Sequence, residues 1–467
     1  MITASSATRV DKSAIVTQTQ GPQTNAAMAG RQLNDRLPGP FVPQASTTLQ
    51  ETGLSEHTVL SLVFKLLLGQ GAVSGRSIAE QIAVPFGILE RLLQRLKNEH
   101  LVVLRASAPV ADYIYQLTES GAGRARREFQ RNSYCGTAPV AFCDYLASTK
   151  AQSVGSQRPK LEDVRRAFQD LVLSEEKCCS IGEAIESGLG FFLHGAAGNG
   201  KSTIAERTTK AFGDCIWIPQ AVEIEGEIVR LFDPTCHELA SPEEFGIQAV
   251  PQEVDKRWVC IRRPTIIVGG ELTLDKFEIT PNRESGLCEA PIQMKANGGT
   301  LVLDDFGRQR ISPTEILNRL IMPLERRVDY LRLPSGRTIQ MPFESLMIFS
   351  TNLDPAQLVD EAFLRRVPYK IEITDPSVPE FFELFRQEAA RLGITWRGEV
   401  IEYLLKKHYL PIGRSLRFCH PRDLLRQVAT HCSFRGLPPV VTATALDAAV
   451  QNYFGITSPD SVGQTAS

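Results

Sequence analysis

The stretch Gly190-Phe-Phe-Leu-His-Gly-Ala-Ala-Gly-Asn-Gly-Lys-Ser-Thr203 decides the fold. Its first five residues are strand-like, and residues 203–212 continue as a helix candidate. Between them, residues 195–202 fit G-x-x-x-x-G-K-[ST] in the strand-to-helix context that the pattern requires. Each residue type has a physical reason. Gly195, Gly198 and Gly200 let the backbone wrap an anion without Cβ clashes. Successive N–H groups around Asn199, with the positive end of the following helix, then face that anion. Lys201 can reach terminal phosphate oxygens, and the Ser202 hydroxyl, next to Thr203, can hold Mg²⁺. A chance glycine-rich turn would not come with a strand, a helix and a downstream acidic pair.

That acidic pair ends Thr300-Leu-Val-Leu-Asp-Asp305. An apolar strand tipped by two carboxylates, expected to neighbour the loop strand, places Asp304 to hold the metal's hydration shell. Asp305 stands where a water-activating acid belongs. The plain alternative is two ordinary acids closing a strand. Further strand candidates at 215–219, 264–268 and 346–350 alternate with helices, which implies a mostly parallel α/β sheet. Beyond Pro376 the pattern is helical to residue 455. Residues 268–271, Val-Gly-Gly-Glu, read as a hairpin turn.

Towards the N-terminus, residues 51–131 read as a small domain of three helices and a two-stranded wing, with Ser55 as a cap and Pro85 opening the third helix. Residues 1–50 and 456–467 are polar and read as disordered tails, and 132–160 as a looser linker. The chain has 467 residues, 43% hydrophobic and 22% charged, with a net charge of -2, so nothing pulls it globally towards nucleic acid or anionic lipid. No apolar run approaches the roughly 20 residues of a membrane span. Ten cysteines without Cys-x-x-Cys read as free thiols, and with no secretory signal the expectation is a cytoplasmic protein without membrane insertion.

Over residues 160–455 these segments resemble the AAA+ ATPases. Residues 195–203 look like Walker A and 301–305 like Walker B. Leu346-Met-Ile-Phe-Ser-Thr-Asn352 looks like the strand ending in the sensor-1 residue, Asp360-Glu-Ala-Phe-Leu-Arg-Arg366 like the arginine-finger segment, and His420-Pro-Arg-Asp-Leu424 like the start of the sensor-2 helix. Ala296-Asn-Gly-Gly-Thr300 further resembles the branch of MoxR-like ATPases and enhancer-binding activators. The resemblance implies a three-layer α/β core over 161–375 with a helical lid over 376–455. It implies ATP and Mg²⁺ as cofactors, Asn352 beside the γ-phosphate, and Arg422 contacting phosphate from the lid. Arg366, or Arg365, would act in trans, which implies a homo-oligomer, commonly a hexamer, that remodels an unknown protein client. The family's usual Glu is replaced by Asp305, one methylene shorter, in chemistry sensitive to displacements of about 1 Å. Binding is therefore expected ahead of fast hydrolysis.

Two other readings stay open. The N-terminal domain resembles a winged helix, so ATP could switch a DNA-binding regulator. From residue 55 to 131 ten Lys/Arg face seven Asp/Glu, a net +3, with Arg91, Arg95 and Lys97 on the third helix and Arg124, Arg126, Arg127 and Arg131 on the next. A solvated face explains these as well as a groove reader does. The chain could also be an ATP-gated scaffold with negligible turnover. Cys419-His420 and His431-Cys432 invite a zinc reading, but on one helix the two histidines would lie about 16 Å apart.

Overall fold

The computed structural model describes residues 41–213, 215–245, 254–282 and 284–455. The tail readings at 1–40 and 456–467 fall outside the described residues. Residues 41–50, read as tail, instead pack on the protein. Phe41 lies against Trp258, Gln44 bridges to Val254, and Ser46 is buried.

Ser55 accepts from the Thr58 N–H and starts α1 (Glu56–Gln70). Ser74, closing β1 (Val73–Ser74), caps α2 (Gly75–Ile82). Pro85 precedes α3 (Phe86–Asn98), β2 (Val102–Ala108) pairs with β3 (Asp112–Leu117), and Thr118 caps α4 (Glu119–Arg131). The three strands form an antiparallel sheet, β1-β3-β2. Val63, Phe64, Leu89, Leu93 and Tyr115 fill one core between helices and sheet.

The segment read as a loose linker is built into the fold. Val140–Ala141 form β4, and α5 (Phe142–Ala151) buries Tyr145, whose hydroxyl accepts from Asn297 Nδ2 at 3.0 Å. Its apolar residues do recur at helical spacing, at 142, 145 and 146, but Gly, Pro and Ser on both sides give the stretch the look of a connector.

The α/β core follows: α6 (Leu161–Ala167), α7 (Glu175–Ser187), β5 (Phe191–His194) and α8 (Lys201–Thr208). Next come β6 (Cys215–Pro219), β7 (Ala221–Ile224), β8 (Glu227–Arg230), β9 (Trp258–Arg262), β10 (Thr265–Val268), β11 (Thr280–Pro281), β12 (Cys288–Glu289), α9 (Ile292–Lys295) and β13 (Thr300–Leu303). Then α10 (Pro313–Arg326), β14 (Val328–Arg332), β15 (Thr338–Pro342), β16 (Leu346–Thr351), α11 (Pro355–Leu358), α12 (Glu361–Leu364) and β17 (Tyr369–Glu372) complete it.

Five of these strands make a parallel sheet in the order β10-β13-β16-β5-β17. Alternate side chains leave it on opposite faces. Phe191, Leu193, Val302 and Ile348 pack with Ile181, Ile185 and Ile204 of α7 and α8; Phe192, Leu301, Leu303 and Phe349 pack with Ile316 and Leu320 of α10. Helix, sheet and helix thus form three layers.

Three readings need correction. The strand at 215–219 exists but lies outside this sheet, pairing antiparallel with β9. Residues 268–271 are not a hairpin turn, because β10 runs parallel to β13. The acid-tipped β13 is not the neighbour of β5; β16 lies between them. A second sheet, β11-β12-β8-β7-β4, gathers the inserted strands.

After residue 376 the chain is helical. Ser377 and Glu380 form a capping box that opens α13 (Val378–Arg391), followed by α14 (Gly398–Leu404), α15 (Cys419–Phe434) and α16 (Ala443–Phe454). Phe381, Phe385, Leu404, Leu424, Val428 and Leu446 form their common core.

Candidate nucleotide site

The site lies where the strand tips meet the N-terminus of α8. Gly195 leaves β5 at φ 129°, and a Cβ there would sit 2.4 Å from the Ile373 carbonyl oxygen, so no larger residue fits. Gly200, at φ 80°, is the N-cap of α8. Lys201, 6% exposed, opens the helix. Its Nζ donates to the carbonyls of Gly195 and Ala196, each at 3.0 Å, and to Asn352 Oδ1 at 2.6 Å. Burial lowers the Lys201 pKa, opposed by the carboxylates of Asp304 and Asp305.

One residue later, Ser202 Oγ donates to Asp304 Oδ2 at 2.7 Å. Asp304 Oδ1 accepts from the Asp305 N–H at 3.0 Å. Asp305 sits at φ 49°, in the left-handed region where Asp is among the better tolerated residues. Its Oδ1 accepts from Asn352 Nδ2 at 3.1 Å. The interposed β16 explains this geometry. Asn352, just past its tip, reaches the loop on one side and the acids on the other.

Lys201, Ser202, Asp304, Asp305 and Asn352 line a cavity of about 560 Å³, together with Gly198, Asn199, Gly200 and Thr203, whereas Gly195 is not among its lining residues. Arg422, in the first turns of α15, also lines it while its Nε donates to Asp423 Oδ1 at 2.9 Å. Arg365 and Arg366 do not. Arg365 pairs with Glu361 at 3.2 Å; Arg366 donates to Glu325 Oε1 at 2.5 Å and to the Ala362 carbonyl at 3.0 Å.

Sequence reasoning passed over several lining residues. Leu171, Val172 and Leu173 form an apolar wall before α7, with Leu384 and Phe418 from the helical C-terminal region, and Arg308 follows the acidic pair. Three consecutive apolar residues in a non-periodic stretch were the available signal for the wall.

The donor set suits a nucleotide. A hydroxyl and a carboxylate are hard oxygen ligands, and Mg²⁺ typically takes one or two protein oxygens with water and phosphate filling the rest. No group of three metal-ligating His, Cys, Asp or Glu side chains is gathered among the described residues. The cavity falls within the usual range of about 300–1,000 Å³ for small ligands. Cys419, His420, His431 and Cys432 all lie on α15. No helix among the described residues is long and apolar enough to cross a membrane.

Loop, acidic strand and sheet order define a parallel α/β core with a glycine-rich phosphate-loop motif, followed by a helical C-terminal region. Residues 377–452 match a family model described as a domain of unknown function, DUF8689. None of the curated protein sequences matches the chain. Among solved structures the chain is similar to NtrX from Brucella abortus in complex with ADP, at 15% identity and a TM-score of 0.38, over 71% of this chain and 66% of that one, just under two thirds. It is also similar to the RuvB Holliday junction branch migration motor of Thermotoga maritima, at 12% identity and a TM-score of 0.36, over 63% of this chain and 74% of that one.

Proposed function

We propose that the chain binds ATP with Mg²⁺ and hydrolyses it as an oligomeric ATPase that remodels a macromolecular partner. The observation that carries this reading is the direct bonding among motif residues at one cavity: Ser202 to Asp304, Lys201 to Asn352, and Asn352 to Asp305. Mg²⁺, when bound, would neutralise phosphate charge and orient the terminal phosphate. Ser202 and Asp304 would hold it. Lys201 would exchange carbonyl acceptors for phosphate oxygens. Asp305, oriented by Asn352, would accept a proton from the attacking water, and Arg422 would contact phosphate from the lid. Arg366, or Arg365, would complete the site of an adjoining subunit, where such a charge changes rates by about 10³–10⁵.

In this reading 161–375 is the ATPase core, 376–455 the lid and 51–131 a winged-helix module. A protein-docking role for that module is favoured over DNA reading. Arg95, on the helix that would enter a groove, is already engaged by Glu56 and Glu99.

Fluorescent mant-ATP titration and phosphate release test the site. Lys201→Ala should weaken binding or slow turnover at least about 100-fold, by loss of a buried charged donor to phosphate. Wild-type values in both assays would remove the reading.

A further inference from the structure

The glycine loop is bonded not only to the metal-side acids but also to the helical C-terminal region. The Gly198 carbonyl accepts from the Cys419 N–H at 2.9 Å, and a Cβ on Gly198 would lie 2.6 Å from Cys419 Sγ. Asn199, 2% exposed, has its amide fully engaged. Its Nδ2 donates to Asp375 Oδ1 at 2.8 Å and to the Ile373 carbonyl at 3.4 Å, and its Oδ1 accepts from the Phe418 N–H at 3.5 Å. The same Asp375 oxygen accepts from the Arg417 guanidinium.

Asp375 lies in the segment 373–377, by which the chain passes from β17 into α13. One carboxylate oxygen at that crossing is therefore shared by a loop residue and a lid residue. The backbone around Asn199 belongs to the anion-facing stretch, and the side chain of Asn199 cannot shift without losing Asp375 or Phe418. Phe418 and Arg417 in turn lead directly into α15, which carries Arg422.

We propose that Asp375 is a positioning residue that ties lid placement to loop conformation, with Asn199 and Arg417 as its two arms, so that nucleotide affinity and lid closure form one equilibrium. This rests on reading the loop as a nucleotide site. Asp375 itself touches no nucleotide. Coupling of this kind is reciprocal: whatever the latch adds to nucleotide affinity, nucleotide must return to the stability of the lid contact.

The test uses the full chain and mant-ATP, with amide hydrogen exchange at residues 417–424 as the second readout. Asp375→Ala should weaken mant-ATP binding about 5–150-fold, the usual range for coupled sites. Asp375→Asn keeps an acceptor for Asn199 but loses the charge facing Arg417, so it should fall between. In the wild type, nucleotide should slow exchange at 417–424, and in Asp375→Ala it should not. A merely structural role would lower thermal stability without abolishing that nucleotide-dependent protection. Arg417→Ala, a change on a partly exposed side chain, serves if Asp375→Ala does not fold; it should also weaken binding and lose protection. Wild-type affinity and protection in whichever of these variants folds would overturn the latch alone. A wild-type chain that binds no mant-ATP would instead overturn the parent reading, and the latch with it.

Discussion

Two polar clusters in this molecule are similarly buried and built for opposite ends. At the strand tips, Lys201 is held by two backbone carbonyls and by Asn352, and Lys201 and Asn352 both border a cavity of about 560 Å³. Where residues 51–141 meet the inserted strands, Arg257 is 3% exposed and its partner Asp255 is 6% exposed. The Arg257 guanidinium donates to both Asp255 oxygens and to the carbonyls of Thr52 and Pro139. Its acceptors all belong to the protein, and the cavity that it borders is the smaller of the two, about 300 Å³. A binding site needs donors whose present acceptors can be exchanged for a ligand; a structural joint needs donors with nothing to exchange.

The hardest blow to that contrast falls on the joint. Removing one partner of a buried ion pair typically costs about 3–5 kcal/mol, because the other charge stays buried. Arg257→Ala should show a loss of that size in urea denaturation while mant-ATP affinity per folded molecule stays at the wild-type level. If affinity fell with stability, the two clusters would not be separable as drawn.

A smaller effect is expected in the helical C-terminal region. His420, 7% exposed and bonded to the Tyr409 hydroxyl, has its pKa lowered to about 4, chiefly by burial and then by Arg417 and Arg414. Its ordinary value is 6.5. Between the two the unfolded chain binds more protons. The contribution is thus complete above about pH 6.5 and is lost as pH falls towards 4, by about 2 kcal/mol at pH 5. His420→Gln should flatten the stability profile between pH 7 and 5 by that amount. An unchanged slope would mean the imidazole is not held neutral.

The smallest effect sharpens the nucleotide side. Asp305→Glu restores the longer acid but places it at φ 49°. Left-handed backbone costs ordinary side chains about 1–2 kcal/mol, and Asp less. Thermal melts should show a loss of about 1 kcal/mol. A Glu variant more stable than the parent would disprove the backbone account of why Asp stands here.

The readable parts of this chain were those where chemistry restricts residue choice. Wrapping a phosphate demands glycines, a lysine and a hydroxyl at fixed spacing, so residues 195–203 stood out. Four of the five strands of the parallel sheet showed as apolar runs, three of them because both faces are buried and β10, at one edge with Ile267 exposed, because its run carries no charge. The fifth, Tyr369-Lys-Ile-Glu372, was missed; it lies at the sheet edge and carries exposed charges that break the run. Strand order was also hidden, since pairing between distant segments leaves no local trace, and β16 between β5 and β13 came only from the coordinates. Asp375 and Arg417 could not have been singled out from one sequence. Each is an ordinary charged residue until the fold brings it to Asn199.

The short β4 carries a mechanical consequence. Val140 and Ala141 pair with Val222 and Glu223 of β7, so the chain leaving the N-terminal domain is stitched into the second sheet before it enters the core. Tension applied to that domain reaches the sheet as shear along a hydrogen-bonded ladder, rather than as a tug on a slack tether.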